Sequence, residues 1–276
     1  MVEVWIVVLR GVQYAVGALL LGLPAFMLYS ARAVGPLNLR WPRPTIAWAA
    51  AVLMVAAPAA LLAQTAMMAG FLSAALEPEA LGFMVTGMGL GKALVVRMLA
   101  AALALALALL LRPGRLAWSV LALLGLVVSA SFAWTGHGAS TEGAGRAIHL
   151  GLDILHAIGA ALWLGALAIL TLLLSRPAML EPRQTHRVLH GFSGLGTLAV
   201  ALLTVTGLGN SWFLVGPDRL ASLPQTLWGQ LLIGKLTLFA LMCAFAATNR
   251  FRLTPALDRA VYEDAGVASS LARLRH

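Results

Sequence analysis

The chain has 276 residues, of which 61% are apolar and 11% charged, and its mean hydropathy is +0.91. This composition excludes a soluble domain and indicates an all-α, polytopic protein of the lipid bilayer. The formal net charge of +9 does not indicate a nucleic-acid partner, because the basic residues lie at predicted helix ends, and the single Cys243 excludes disulfides within the chain and cysteine-rich metal sites.

Seven apolar stretches are long enough to cross a bilayer. They cover approximately residues 4–29, 45–76, 89–111, 118–135, 146–175, 189–215 and 227–248. The first stretch lacks a basic n-region and a small-residue cleavage site, so we interpret it as a retained helix. Pro58 predicts a kink in the second. We expect residues 1–249 to form a single transmembrane helical domain and residues 250–276 a cytoplasmic tail.

The lysines and arginines are distributed unevenly over the connecting segments. The segments after spans one, three and five, together with the tail from Arg250, hold 13 of the 19 basic residues. The segments after spans two, four and six hold only Arg146 and Arg219. Because cytoplasmic loops carry the excess of Lys and Arg, this asymmetry predicts an N-terminus outside and a C-terminus in the cytoplasm.

The fifth span, RAIHLGLDILHAIGAALWLGAL, carries three ionisable residues: His149, Asp153 and His156. Their spacing of i, i+4 and i+7 places them on one helix face. Ionisable groups inside a membrane usually face an interior and serve a function, and imidazole and carboxylate are ligands for first-row metals. The alternative is structural: Asp153 neutralises a buried cation and the histidines bond to neighbouring helices. His149 and His156 are about 10.5 Å apart along the axis, so they cannot both bind one ion directly. Either each serves a different metal position along a path, or Asp153 between them bridges to one of them.

Further metal-binding side chains are predicted on the outer side of the membrane. Thioethers favour Cu(I), and imidazole accepts either copper oxidation state. Methionine is also common filler in apolar helices. Met67 and Met68 lie at the end of the second span, Met84 and Met88 in the segment after it, and His137 at the end of the fourth span, all on the predicted outer side.

Two cations recur at similar depth inside the predicted spans. GKALVVR in the third span and GQLLIGK in the seventh place Arg97 and Lys235 six positions after a glycine. Both lie roughly 12 Å into the bilayer, close to the depth of Asp153. A buried cation needs a partner, so we expect Asp153 to pair with Arg97 or Lys235, which favours a structural role for Asp153 over metal ligation.

Three stretches resemble the CopD/PcoD family of bacterial copper-resistance membrane proteins. They are GKALVVR (91–97), HLGLDILHAIGAALWLGAL (149–167) and TLWGQLLIGKLTLFALMCAFAATNRFRLTPAL (226–257). The resemblance implies a multi-pass protein of the bacterial inner membrane that moves copper from periplasm to cytoplasm, beside a periplasmic CopC-like copper protein. Family members commonly have a further helix after the NRFRLTP tail. The residues that would be characteristic by position are His149, Asp153, His156, Trp163, Gly229, Lys235, Asn249 and Arg250.

The leading hypothesis is a copper permease whose cargo is Cu(I) or Cu(II). The outer thioethers and His137 would bind copper first, His149 and His156 would form the intramembrane site, and His186 and His190 an inner exit. The alternatives are a b-type haem electron carrier, a non-transporting anchor for periplasmic copper chaperones, and an anion transporter. The anion would be drawn to the buried cations Arg10, Lys92, Arg97 and Lys235. No nucleophile–base set or phosphate-binding loop is visible, so no enzymatic activity is expected.

Overall fold

The computed structural model describes residues 2–35, 39–136, 139, 141–175, 182–216, 222–248 and 251–252. Within these ranges the chain forms eight α-helices: α1 (Val2–Val34), α2 (Pro42–Ala69), α3 (Pro78–Gly87), α4 (Gly89–Leu110), α5 (Arg115–Ser131), α6 (Arg146–Ser175), α7 (Pro182–Val215) and α8 (Leu227–Thr248). Short 3-10 helices cover Leu72–Leu76 and Phe132–Thr135. Apart from α3, each helix contains a segment long and apolar enough to span a membrane, which confirms the all-α fold and the seven predicted spans.

Two predicted loops are helical, and one predicted span ends early. The second span was predicted to reach residue 76, but α2 ends at Ala69 because Gly70 adopts a left-handed conformation (φ 85°) and caps it. The polar segment that follows contains α3, whose start has a proline in the first turn and the acidic Glu79 nearby, both of which favour a helix N-terminus. The helix α7 begins at Pro182, so His186 lies in a helix and not in a loop.

Helix α1 occupies the centre of the bundle and packs against α2, α5, α6 and α7. Glycines allow the closest of these approaches, as is usual where membrane helices cross. A Cβ atom at Gly22 would lie 2.5 Å from the Cα of Gly165 in α6, and one at Gly125 of α5 would lie 2.4 Å from the Leu20 carbonyl oxygen. Side chains larger than hydrogen at these positions would push α6 and α5 away from α1.

The helices α2 and α4 pack on each other through small side chains. Alanines 49, 50 and 57 of α2 and alanines 101 and 104 of α4 are almost fully buried. At one end of this pair, the guanidinium of Arg43 in α2 donates to the carbonyls of Ala108 and Leu109 in the last turn of α4. Carbonyls in a last helical turn have no partner inside their own helix, so Arg43 joins the start of α2 to the end of α4.

These contacts define the two ends of the bundle. The start of α2 and the end of α4 share one end, which the charge distribution predicts to be cytoplasmic. The opposite end holds the end of α2, the helix α3, the start of α4, the turn Phe132–Thr135 and the start of α6. The orientation in the bilayer stays a prediction.

Helix α8 lies at the periphery of the bundle. Its Phe239 contacts Trp163 of α6 edge to face, with ring centroids 5.9 Å apart. Large apolar side chains such as Leu231, Leu236 and Phe245 are exposed, as lipid-facing residues would be. Lys235 is also exposed in the protein, yet it lies close enough to His156 to interact with it electrostatically.

Candidate functional site

The ionisable stripe of α6 faces a matching stripe on α7. His156 contacts Thr206, Asp153 contacts Asn210, and His149 contacts Phe213. From one contact to the next, the residue number decreases in α6 and increases in α7, as in two antiparallel helices packed side by side. Both stripes have the spacing i, i+4 and i+7, so each residue finds its partner at the same interval. The shared face predicted for His149, Asp153 and His156 is therefore an interface with α7.

His149 is held rigidly at one end of this interface. Its ring is 1% exposed and is stacked on Phe213, with centroids 4.7 Å apart and an interplanar angle of 8°. Its Nδ1 lies 2.5 Å from the Thr141 hydroxyl oxygen in the segment before α6. Gly145 makes room for this arrangement, because a Cβ there would lie 2.8 Å from the Phe213 ring. His149 thus anchors the preceding segment onto α6 and α7, and its role as a copper ligand stays a prediction.

The carboxylate of Asp153 is half-buried between α7 and the turn that ends α5. Asn210 Nδ2 donates to Asp153 Oδ1 at 3.5 Å. On the other side, a Cβ at Gly136 would lie 2.7 Å from Asp153 Oδ2, so only glycine lets the turn approach the carboxylate this closely. The predicted pairing of Asp153 with Arg97 or Lys235 stays a prediction.

Thr206 orients the ring of His156, and the hydrogen bond that its own hydroxyl makes indicates the tautomer. His156 Nδ1 lies 2.9 Å from Thr206 Oγ1, and that hydroxyl also lies 2.7 Å from the Leu202 carbonyl oxygen. A carbonyl can only accept, so the single hydroxyl proton points to Leu202. The Thr206 oxygen must then accept from Nδ1–H of His156. In neutral imidazole this leaves the lone pair on Nε2, the nitrogen that a metal would bind.

The structure brings two of the four predicted methionine ligands together. Met68 at the end of α2 and Met84 in α3 line one cavity of about 170 Å³, together with Thr65, Ala69, Ala80 and Phe83. Met67 is half-exposed, and Met88 packs against the apolar cluster that contains Met84, Leu61 and Leu94. Met68 and Met84 therefore share the lining of one cavity, which does not include Met67 or Met88.

The methionine cavity and the histidine stripe belong to different sides of the bundle. The cavity is built by α2 and α3, which pack on α4, whereas the stripe lies between α6 and α7, and α1 contacts both groups of helices. Among the described residues no group of three or more His, Cys, Asp or Glu side chains is placed to hold one metal ion. The thioether and imidazole groups that were predicted to converge thus occupy separate positions in the bundle.

His137 lies outside the described residues, as do Asn249 and Arg250, and of His186 and His190 only the backbone in α7 is described. Their roles stay predictions.

The α7 partners were missed by sequence reasoning. Thr206, Asn210 and Phe213 repeat the spacing of the α6 stripe, and Thr206 and Asn210 are two of the few polar residues in a mostly apolar span. That repeated spacing is the signal that could have found them. Thr141 lies in a short polar segment with no comparable pattern.

Two family models match the chain. One is described as copper resistance protein D-like, N-terminal domain, and covers residues 1–148; the other is described as copper resistance protein D and covers residues 186–276. The α6 stripe falls between the two matched ranges, and its α7 partners fall within the second. No solved structure matches the chain.

Three curated relatives are similar to the chain over part of their length. The copper resistance protein D of Pseudomonas syringae pv. tomato is 41% identical over 184 residues, which is 65% of this chain and 59% of that protein. The copper transport protein CutJ of Bacillus subtilis is 34% identical over 47% of this chain and 23% of its own length. The inner membrane protein YebZ of Escherichia coli is 31% identical over 48% and 46% respectively. The chain thus matches less than two thirds of each relative.

Proposed function

The chain belongs to the copper resistance protein D-like family, and from that premise we propose that it carries copper ions across the bacterial inner membrane from periplasm to cytoplasm. It is a multi-pass protein of that membrane with seven spans. Two of the similar proteins are named for copper resistance and copper transport, which supports copper as the cargo. We assign the chain no catalytic activity.

One contact carries the proposal: His156 Nδ1 lies 2.9 Å from Thr206 Oγ1 inside the membrane-spanning helix α6, an arrangement that assigns the ring proton to Nδ1 and leaves Nε2 for a metal. Thr206 enforces this tautomer by accepting from Nδ1–H. A partner on the second ring nitrogen is the usual way in which proteins orient a metal-binding histidine. Thr206 holds the ring in place. Because His156 is only half-buried, the surrounding protein does not enclose the ring completely.

The geometry suits a path of separate, individually weak positions. The thioethers of Met68 and Met84 would bind Cu(I) first, at the cavity near the predicted periplasmic end. His156 would form a deeper position, and both Asp153 and Lys235 lie within electrostatic range of it. An ion that meets few ligands at each position can leave as readily as it binds, which transport requires.

A second reading, a b-type haem carrier, would need histidines on facing helices. The α7 residues that face the stripe are Thr206, Asn210 and Phe213, none of which is a haem ligand. An absorption spectrum of the purified protein tests this directly, because bound haem absorbs strongly in the visible range.

The test of the proposal is copper accumulation in cells that express the chain. We expect His156→Ala to reduce accumulation to the level of cells without the protein, because the deep ligand is removed. Leu155→Ala is the matched control: it truncates the neighbouring side chain of the same helix, which is half-exposed. If His156→Ala accumulates copper like wild type at equal protein level, His156 is structural and the proposed path is wrong.

Transport must also be separated from anchoring of a periplasmic copper protein. Purified protein in liposomes that enclose a copper-sensitive dye should pass copper inward without any partner. Liposomes that bind copper on their surface but show no dye response would favour the non-transporting anchor. Presenting Cu(I) and Cu(II) separately identifies the oxidation state carried.

A further inference from the structure

Arg97 of α4 is a buried cation whose described contacts are with neutral groups. Its side chain is 2% exposed, its Nε donates to Ser131 Oγ at 3.0 Å, and its Nη1 donates to Gln13 Oε1. The guanidinium carbon lies 4.1 Å from the centroid of the Phe132 ring. Nη2 is buried and has no hydrogen-bond partner among the described residues. A buried charged donor in this state indicates a missing ligand, because such groups are normally hydrogen-bonded.

The missing ligand has a cavity to occupy. Arg97 lines a cavity of about 20 Å³ between α1, α2 and α4, whose apolar wall is formed by Ile6, Ala60 and Leu94. This volume holds a species of about the size of one water molecule. Phosphate, sulfate and carboxylate groups are larger than that. A water molecule or a monatomic ion is the occupant that this volume suits best.

The charge of the lining decides between a cation and an anion. The polar groups around the cavity are Arg10, Gln13, Gln64, Arg97 and Thr135, and none of them is acidic. Arg10 and Arg97 bring two positive charges to one small volume, where they repel each other. An anion between them replaces this repulsion by two attractions, whereas a metal cation would meet two like charges.

The donors are also oriented for an anion. Gln13 Nε2 donates to the Ala56 carbonyl at 3.3 Å, which turns Gln13 Oε1 toward Arg97. Arg97 Nη2 is therefore the guanidinium nitrogen that remains for a ligand. The amide of Gln64 can turn its N–H groups toward the same point, since Gln64 lines the cavity and is buried.

We propose that this cavity binds one small inorganic anion of the size of chloride, held by Arg97 Nη2 and the charge of Arg10. The site differs from the proposed copper positions, because its charge repels cations. The bound anion would act as the counter-charge that lets Arg97 remain in the membrane interior.

The test uses the purified full chain in lipid nanodiscs, exchanged into sodium gluconate and titrated with sodium chloride at constant ionic strength. Gluconate is a much larger anion than chloride. We expect the melting temperature, followed by tryptophan fluorescence, to rise and saturate with chloride, because a ligand that binds the folded state stabilises it. Bromide should act in the same way, and a bromide derivative should give anomalous scattering beside Arg97 Nη2.

Arg10→Gln is the informative variant, because Arg10 is exposed and its replacement should leave folding intact. We expect it to raise the half-saturating chloride concentration by about tenfold, since one of two attracting charges is lost. Lys92→Gln is the matched control: it removes an exposed cation from the same region that does not line the cavity. A non-saturating response, or equal responses of both variants and wild type, means a general salt effect or a water-filled cavity and overturns the proposal.

Discussion

Replacing Thr206 by valine tests how the chain prepares His156 for copper. The two side chains have the same shape, and Thr206 is 1% exposed, so the packing between α6 and α7 should persist. The change removes the oxygen that lies 2.9 Å from His156 Nδ1. The ring then loses the acceptor that fixes the proton on Nδ1, and Nε2 is no longer reserved as the unprotonated nitrogen.

Two estimates bound the size of the effect. The lost hydrogen bond by itself contributes about 0.5–1.5 kcal/mol. Loss of a partner that orients a metal ligand typically lowers metal affinity by about 10- to 100-fold, which corresponds to about 1.4–2.8 kcal/mol. We therefore expect the dissociation constant for copper at His156 to rise by about tenfold or more.

The assay is competitive titration of Cu(I) against a chromophoric chelator, without oxygen, on protein in nanodiscs. Thr204→Val is the matched control, because the Thr204 hydroxyl donates to the Val200 carbonyl of its own helix and the residue is exposed. We also expect Thr206→Val to add no further loss in a protein that already carries His156→Ala. Wild-type affinity in Thr206→Val, or an equal loss in Thr204→Val, would refute the reasoning about the tautomer.

Two further predictions concern copper capture and orientation. The double variant Met68→Leu, Met84→Leu removes both thioethers from the cavity and keeps side-chain volume, so it should cost less than about 1.5 kcal/mol of stability. We expect its copper uptake to fall most at low external copper, while the control Met67→Leu behaves as wild type. Full uptake by the double variant would exclude the cavity as a copper site. Reporter fusions after Arg43 should be cytoplasmic and fusions near Ala139 periplasmic, because of the distribution of basic residues, and the reverse pattern would invert the proposed path.

Local sequence signals were sufficient for the spans and for the shared face on α6. A membrane helix satisfies its backbone hydrogen bonds internally, so apolar length alone predicts it, and α8 (Leu227–Thr248) was predicted with the bounds that it has. The spacing of His149, Asp153 and His156 likewise follows from the helical repeat. The errors lie at boundaries, where Gly70 ends α2 and Pro78 starts α3, because capping and short amphipathic helices give weak signals beside long apolar runs.

Which faces meet was decided only by the tertiary structure. The sequence grouped four methionines on one side of the membrane, and in the structure Met68 and Met84 line one cavity whose lining does not include Met67 or Met88. No pattern in the sequence associates Arg97 with Ser131 and Gln13, or His156 with Thr206. Apolar length and helical periodicity are properties of one helix. Contacts between helices depend on how closely glycine and alanine allow several helices to approach at once, and no single span contains that information.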